Sequence, residues 1–153
     1  MINNDVLRSV RFMLKVGDST LAEIIKLGGG TIAPMQVAAF LKREDEPGFV
    51  LCDAKTMGQF LDGLIIHRRG PAPEGKTPMV EKHVTNNTVL KKLRVAFELK
   101  EDDLVEMIKS VGFEISRPEL SALFRKPDHK NFRPCGDQFL RAFLKALTAR
   151  VRV

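Results

Sequence analysis

The segment NNDVLRSVRFML at 3–14 reappears in altered form as NNTVLKKLRVAF at 86–97. A shift of 83 positions aligns residues 3–70 with residues 86–153 without a gap, and 19 of the 68 aligned pairs are identical. Self-similarity at a fixed period is typical of a repeated structural unit. The sequence therefore predicts two tandem copies of one small domain.

The segment between the copies, GPAPEGKTPMVEKHVT at 70–85, has three prolines and two glycines among its first nine residues. This composition is typical of a linker or an exposed crossover. We expect residues 1–70 to form the first repeat, residues 71–85 the linker and residues 86–153 the second repeat. Because units of this size bury little surface alone, we expect them to pack as one body around a pseudo-twofold axis.

Each copy has the apolar spacing of four short helices, and strand-like alternation is nowhere sustained. The first helix is predicted to begin at an asparagine cap, Asn3 or Asn86. The last helix is predicted to span about residues 54–69 in the first copy and 138–152 in the second. We therefore predict an all-α fold of two tandem four-helix repeats.

The inner helices carry cap signatures. The second helix is predicted to begin between Asp18 and Thr20 in the first copy and between Glu101 and Asp103 in the second. Thr20–Glu23 has the form of a capping box, and Asp103–Glu106 is its acidic variant. The second helix is predicted to end where Gly29 or Gly112 supplies a left-handed residue. The capping box Ser116–Glu119, with proline in the first turn, is predicted to begin the third helix of the second copy.

The composition is that of a globular protein, with 153 residues of which 44% are hydrophobic and 29% charged. No apolar run approaches the roughly 18 residues of a membrane helix. The first ten residues, MINNDVLRSV, lack the basic and apolar regions of a signal peptide. We therefore expect a soluble, cytoplasmic protein with no membrane partner.

The cysteines and histidines give no metal-ligand spacing, since there are two Cys, three His and no CxxC motif. We therefore expect no metal and no cofactor. Cys52 and Cys135 occupy the same position in the two copies. They would either form a disulfide across the axis or remain buried, inert thiols, and a reducing cytoplasm favours the thiols.

Positive charge is concentrated near the end of the chain. The net charge is +6, and residues 117–153 alone contain nine basic and three acidic residues. Excess positive charge favours an anionic partner such as DNA or RNA, because phosphate binding releases counterions. The alternative is a solvated surface that only keeps the protein soluble.

The loop around Phe132 carries most of the candidate contacts. A cluster of cations at this point is suited to a phosphate backbone. The predicted nucleic-acid-binding residues are Arg117, Arg125, Lys126, His129, Lys130 and Arg133. We interpret Phe132 as a core residue instead of a stacking residue, because Phe49 occupies the same position in the first copy. Helices two and three resemble a DNA-binding helix–turn–helix only weakly, because Ile25 and Ile108 stand where a small residue is usual.

The matching loop of the first copy is acidic, with Glu44, Asp45 and Glu46. This contrast supports an alternative hypothesis, a protein–protein interaction module or homodimeric adaptor with no nucleic-acid binding. Either the acidic and basic loops of two copies meet, or the protein recognises an acidic protein partner. Arg11 and Arg94, which occupy equivalent positions, are expected to form structural ion pairs with acids such as Asp45 and Asp128.

Enzymatic chemistry has little support in this sequence. Nucleophile-elbow, phosphate-loop, dinucleotide-binding and zinc-protease motifs are all absent. We therefore predict a non-enzymatic protein with no catalytic residues and no small-molecule substrate.

Several segments together resemble a known family. They are KREDEPGF at 42–49, LDGLIIHRRG at 61–70, VTNNTVLKKLRVAFELK at 84–100, PELSALFRKP at 118–127, HKNFRPCGDQFLR at 129–141 and FLKAL at 143–147. The chain resembles the YehS-like family, small bacterial proteins built from two copies of a domain of unknown function. The resemblance covers essentially the whole chain and implies a cytoplasmic, all-helical, duplicated protein. It implies no activity, ligand or catalytic residue.

Overall fold

The computed structural model describes residues 1–71 and 83–152, and in these residues it contains eight helices and no strand. The helices are α1 (Asn3–Leu14), α2 (Asp18–Leu27), α3 (Pro34–Leu41), α4 (Ala54–Arg69), α5 (Asn86–Ala96), α6 (Glu101–Ser110), α7 (Arg117–Leu123) and α8 (Asp137–Val151). The predicted all-α fold with four helices in each repeat is confirmed. Most of the predicted linker, residues 72–82, lies outside the described residues. In the described ranges, no helix is long and apolar enough to cross a bilayer.

The predicted asparagine caps are wrong. Asn3 and Asn86 lie inside the first turns of their helices, after Ile2 and Thr85. The hydroxyl of Thr85 accepts a hydrogen bond from the amide of Thr88 at 3.3 Å and caps α5 in the ordinary way. The asparagine side chains are used elsewhere, because they bind a distant loop.

The second helices begin within the predicted ranges, α2 at Asp18 and α6 at Glu101, but Thr20 and Asp103 are not their cap residues. The caps are Gly17 and Lys100. In α6 the carboxylate of Asp103 accepts a hydrogen bond from the amide of Lys100 at 2.8 Å. Asp103 therefore acts from the third helical position and not as the cap, because its side chain is long enough to reach back by one turn.

Other helix ends agree with the sequence. Gly29 and Gly112 follow α2 and α6 with φ angles of 95° and 79°, the left-handed region that glycine adopts without strain. Ser116 and Glu119 form the predicted capping box of α7, in which each side chain accepts a hydrogen bond from the other residue's amide at 3.2 Å. These local signals need no tertiary contact, which is why the sequence alone predicts them.

The repeats pack on each other reciprocally. The last helix of each repeat contacts the first helix of the other, because α4 packs against α5 and α8 packs against α1. A twofold axis between equivalent units produces this pairing. The equivalent residues Phe60 and Phe143 are both fully buried, and one hydrophobic cluster contains residues of both repeats. The predicted single body with pseudo-twofold symmetry is therefore confirmed.

The first repeat brings α2 and α4 together at two glycines. A Cβ atom on Gly63 would lie 1.7 Å from the carbonyl oxygen of Ile24, and one on Gly28 would lie 1.8 Å from that of Gln59. No real side chain tolerates such distances. Glycine at these positions is therefore what allows the two backbones to touch.

The second repeat has a looser arrangement at the same place. Its equivalent residues are Val111 and Ala146, and α6 approaches α8 less closely. The rings of Phe113 and Phe139 pack edge to face with centroids 5.5 Å apart. The first repeat has Gly30 at the position of Phe113. The second repeat therefore fills with aromatic side chains the space that the first repeat closes by direct contact between helix backbones.

Candidate nucleic-acid interface

A pair of asparagines fixes the loop that carries the candidate contacts, residues 124–136 between α7 and α8. The amide nitrogen of Asn87 donates to the carbonyls of Leu123 at 3.0 Å and Arg133 at 2.9 Å. Its oxygen accepts from the amide of Cys135 at 2.9 Å. Asn86 adds a bond to the Cys135 carbonyl at 3.0 Å. The loop is therefore tied at both ends to the first turn of α5.

The first repeat repeats this arrangement atom for atom. Asn4 donates to the carbonyls of Phe40 and Val50, both at 2.9 Å, and accepts from the amide of Cys52 at 2.9 Å. Its side chain is fully buried. The retained asparagines therefore anchor loops, and the equivalent loops of both repeats are held in a defined conformation.

A surface groove of about 870 Å³ lies beside loop 124–136, between α7 and the start of α6. We call it the basic groove. Leu120 and Phe124 form its apolar lining, and its charged and polar lining consists of Arg94, Glu101, Ser121, Arg125, Lys126, Asp128, His129 and Lys130. Four of the six predicted contact residues, Arg125, Lys126, His129 and Lys130, are brought together here, and all four are exposed.

The other two predicted residues lie outside the lining of the groove and are paired with acids. Arg117 lies 2.8 Å from Asp102 and 3.8 Å from Glu101. Arg133 lies 3.1 Å from Glu119. Hydrogen bonds from Ser116, with a smaller contribution from Arg133, lower the pKa of Glu119, so this carboxylate stays charged at neutral pH. The structure therefore does not bring these two arginines to the other four residues.

Arg94 is the groove residue that the sequence analysis missed. Its Nε donates to the carbonyl of Leu99 at 3.0 Å, and its guanidinium carbon lies 4.6 Å from the centroid of the Phe124 ring. The expected ion pair with Asp128 is therefore wrong. Arg11, its equivalent, does form an ion pair, but with Asp18 at 3.7 Å and not with Asp45. The sequence feature that could have identified Arg94 as a functional residue is the presence of arginine at both equivalent positions, 11 and 94.

The loop cations of the second repeat differ from those of the first in having no local partner. In the first repeat Lys42 donates to the carbonyl of Pro47 at 3.0 Å, and Arg43 lies 3.8 Å from Glu46. Within the described part of the chain, no ion pair forms at the second repeat's cations, Arg125, Lys126 and Lys130. Their charge is therefore directed to solvent.

The interpretation of Phe132 as a core residue is wrong. Phe132 and Phe49 are both only half-buried, and neither belongs to the hydrophobic cluster or to the residues packed against it. The retained position lies on a surface loop, where the amide of Phe132 donates to the carbonyl of His129 at 2.9 Å. The aromatic residue that lines the groove is Phe124.

His129 is held in one tautomer by its own loop. Its Nδ1 accepts a hydrogen bond from the amide of Asn131 at 3.0 Å. In the neutral ring the proton therefore lies on Nε2, which leaves that nitrogen as a donor.

The remaining cations of residues 117–153 do not share this surface. Arg141 and Lys145 line a separate cavity between α1 and α8. Arg150 lies 3.2 Å from Asp103, and the guanidinium of Arg152 lies 3.8 Å from the centroid of the Phe12 ring. Within the described residues, the positive charge of the segment is thus distributed over several faces, and the basic groove contains its largest group of cations.

The two cysteines are free and buried, with 2% of Cys52 and 7% of Cys135 exposed. Burial, with a smaller contribution from Asp53, raises the pKa of the Cys52 thiol to about 12. Burial, with a smaller contribution from Asp137, raises that of Cys135 to about 11. Both thiols are therefore protonated and poorly nucleophilic at neutral pH. Within residues 1–71 and 83–152, no three potential ligands form a metal site.

Comparison with known proteins agrees with the duplication. The family described as "Protein of unknown function (DUF1456)" matches the chain twice, at residues 3–70 and 86–152. The protein described as "Uncharacterized protein YehS" from Escherichia coli (strain K12) is 46% identical over 153 residues, which cover 100% of this chain and 98% of that protein. No solved structure matches the chain. The two matches confirm the predicted resemblance, and the chain belongs to the DUF1456 family, of which it carries two tandem copies.

Proposed function

We propose that this protein is a nucleic-acid-binding accessory protein whose basic groove contacts the phosphate backbone. The observation that carries the proposal is the set of three neighbouring cations, Arg125, Lys126 and Lys130, that line one groove without an ion-pair partner in the described residues. Unneutralised cations on a fixed loop are suited to phosphate, since they bind it without first giving up another partner.

The loop anchors support this proposal energetically. Because Asn87 ties loop 124–136 to α5 through three hydrogen bonds, less conformational freedom is lost on binding. With Arg94, the groove presents four cations and two carboxylates. A site of this size is expected to bind nucleic acid in the range of non-specific affinities, with dissociation constants of roughly 10⁻⁴ to 10⁻⁶ M at physiological salt.

We also propose that the protein acts in the cytoplasm and performs no chemistry itself. Two buried free thiols suit a reducing compartment. The groove lacks an activated nucleophile, and its one histidine is exposed.

Binding of a labelled oligonucleotide, followed by fluorescence anisotropy, tests the proposal. The test variant is Lys126→Glu with Lys130→Glu. The matched control is Lys26→Glu with Lys55→Glu, which changes the net charge equally at exposed positions of the first repeat. We expect the test variant to lose at least tenfold in affinity at low salt and the control to change little more than twofold. Absence of wild-type binding at about 100 µM protein in low salt would refute the proposal.

A second candidate function, a protein–protein interaction module, is favoured by one observation. Val50 and Leu51, which follow the acidic loop of the first repeat, have 49% and 59% of their surface exposed. The second repeat has Arg133 and Pro134 at these positions. An apolar patch beside acidic residues suits a partner with basic and apolar surface, including a second copy of this chain. A molar mass that rises with concentration in wild type but not in Leu51→Glu would support this function.

A further inference from the structure

Arg94 and Arg11 are equivalent residues whose surroundings have diverged. In the first repeat Nε of Arg11 lies 3.7 Å from the carboxylate of Asp18. The acid at the equivalent position of the second repeat is Glu101. Glu101 instead lies 3.8 Å from Arg117 and within 3.5 Å of the hydroxyl of Ser121. The guanidinium of Arg94 has therefore lost the carboxylate that its counterpart keeps.

Three differences between the repeats produce this change. The second repeat has Arg117, Ser121 and Phe124 where the first has Pro34, Ala38 and Leu41. The first two of these residues engage Glu101, and the third places its ring 4.6 Å from the guanidinium of Arg94. Together they produce a planar cation that rests on an aromatic ring and lines the basic groove.

The orientation of this cation is fixed. Its Nε is bonded to the carbonyl of Leu99, and Arg94 itself is only partly exposed. Loop 124–136 carries the phosphate-binding cations beside it. A guanidinium plane is a surface on which nucleobases stack, and stacking on arginine and aromatic side chains is a general way in which proteins hold unpaired bases.

We infer that the basic groove takes single-stranded nucleic acid, with an unpaired base stacking at Arg94 and Phe124 while the loop cations bind the adjacent phosphates. This inference rests on the proposed function. In a duplex the bases are stacked on one another, and only phosphates and groove edges reach a protein surface. A groove of about 870 Å³ has the size of a site that encloses a small molecule, which suits one or two unpaired nucleotides.

The experiment compares a mixed-sequence twelve-nucleotide RNA with the duplex of the same sequence, both followed by fluorescence anisotropy. The variants are Arg94→Lys, which keeps the charge but loses the plane, and Phe124→Leu, which installs the residue of the first repeat. We expect wild type to prefer the single strand about tenfold. Each variant should lose most of that preference, so that single strand and duplex bind within about threefold of each other. The salt dependence of single-strand binding should be unchanged, because the number of phosphate contacts stays the same.

A spectroscopic readout separates stacking from a merely structural role. The fluorescence of an aminopurine base in a single strand should be quenched when the strand binds wild type and not when it binds Phe124→Leu. Circular dichroism and thermal unfolding of each variant establish that it is folded.

The outcomes distinguish this inference from the proposed function. If Lys126→Glu with Lys130→Glu loses binding but wild type binds single strand and duplex equally, the groove contacts phosphate and the stacking inference is wrong. If Arg94→Lys and Phe124→Leu retain the single-strand preference, the inference is likewise overturned. If wild type binds neither nucleic acid, the proposed function fails and the inference falls with it.

Discussion

Lys92 Nζ lies 2.8 Å from Asp62 Oδ1, and this ion pair joins the two repeats where α5 meets α4. The two side chains are only 18% and 11% exposed. The pseudo-twofold axis relates them to Ser9 and Lys145, which line an open cavity of about 480 Å³ between α1 and α8. The ion pair therefore fills one half of the interface between the repeats. In the other half the equivalent residues do not pair and instead line a cavity.

The ion pair should contribute to stability mainly through the cost of breaking it. Lys92→Met leaves the carboxylate of Asp62 largely buried without a counter-charge, so we expect a loss of about 3 kcal/mol of unfolding free energy, the low end for buried pairs, because some exposure remains. Adding Asp62→Leu to Lys92→Met should restore most of the lost unfolding free energy. Urea unfolding of the double-mutant cycle measures the coupling, and additive single effects would show that the pair is not coupled.

The buried asparagine of the first repeat should be difficult to replace. Asn4→Ala removes three hydrogen bonds and leaves two carbonyls and one amide without partners, so we expect a loss of about 3 kcal/mol. The control is Asn131→Ala on the exposed loop of the second repeat, which should change stability by less than about 0.5 kcal/mol. Thermal unfolding of both variants checks this, and equal melting temperatures would contradict it.

The glycine contact of the first repeat gives a comparison within one helix. Gly63→Ala would place a Cβ atom 1.7 Å from the Ile24 carbonyl and force α2 away from α4, so we expect a loss of about 3 kcal/mol or more. Gly58→Ala, whose Cβ would lie 3.9 Å from Val84, should gain about 0.5–1 kcal/mol through higher helix propensity. Chemical denaturation of the two proteins measures both values, and a Gly63→Ala protein as stable as wild type would refute the close contact.

The cap of α4 should make stability depend on acid pH. Hydrogen bonds from Thr56 lower the pKa of Asp53, whose Oδ1 accepts from the Thr56 amide at 2.7 Å. Because the folded-state pKa lies below the unfolded one, the contribution is present above the ordinary carboxyl pKa and lost as pH falls through the folded value. Asp53→Ala should therefore cost about 1 kcal/mol at pH 7 and little at about pH 2. A cost that persists unchanged in acid would contradict this account.

Local signals and repetition made most of the fold predictable. The capping box at Ser116 and the left-handed Gly29 and Gly112 depend only on neighbouring residues, and the duplication assigned each helix of one copy to its counterpart. The role of Asn4 could not be found this way, because its partners lie 36 to 48 residues away. A local sequence pattern indicates that an asparagine can cap a helix. It does not indicate which carbonyl groups of a distant loop will lie within hydrogen-bonding distance of that asparagine.

The candidate site was predictable only in part. Lys126 and Lys130 are close together in the sequence, so their presence on one loop could be predicted. The acids that engage Arg117 and Arg133 lie on α6 and α7, and the ring that contacts the guanidinium of Arg94 belongs to Phe124, the first residue of loop 124–136. Such pairings follow from helix packing, which periodicity does not encode.

The salt dependence of nucleic-acid binding tests whether the basic groove binds the phosphate backbone. For duplex DNA we expect a slope of roughly −3 or steeper in a plot of log affinity against log salt, because each phosphate contact contributes about −0.9. Lys126→Glu with Lys130→Glu should make the slope about 2 shallower, and Lys26→Glu with Lys55→Glu should leave it within about 0.5 of wild type. Equal slopes for all three proteins would show that the basic groove is not the phosphate-binding site.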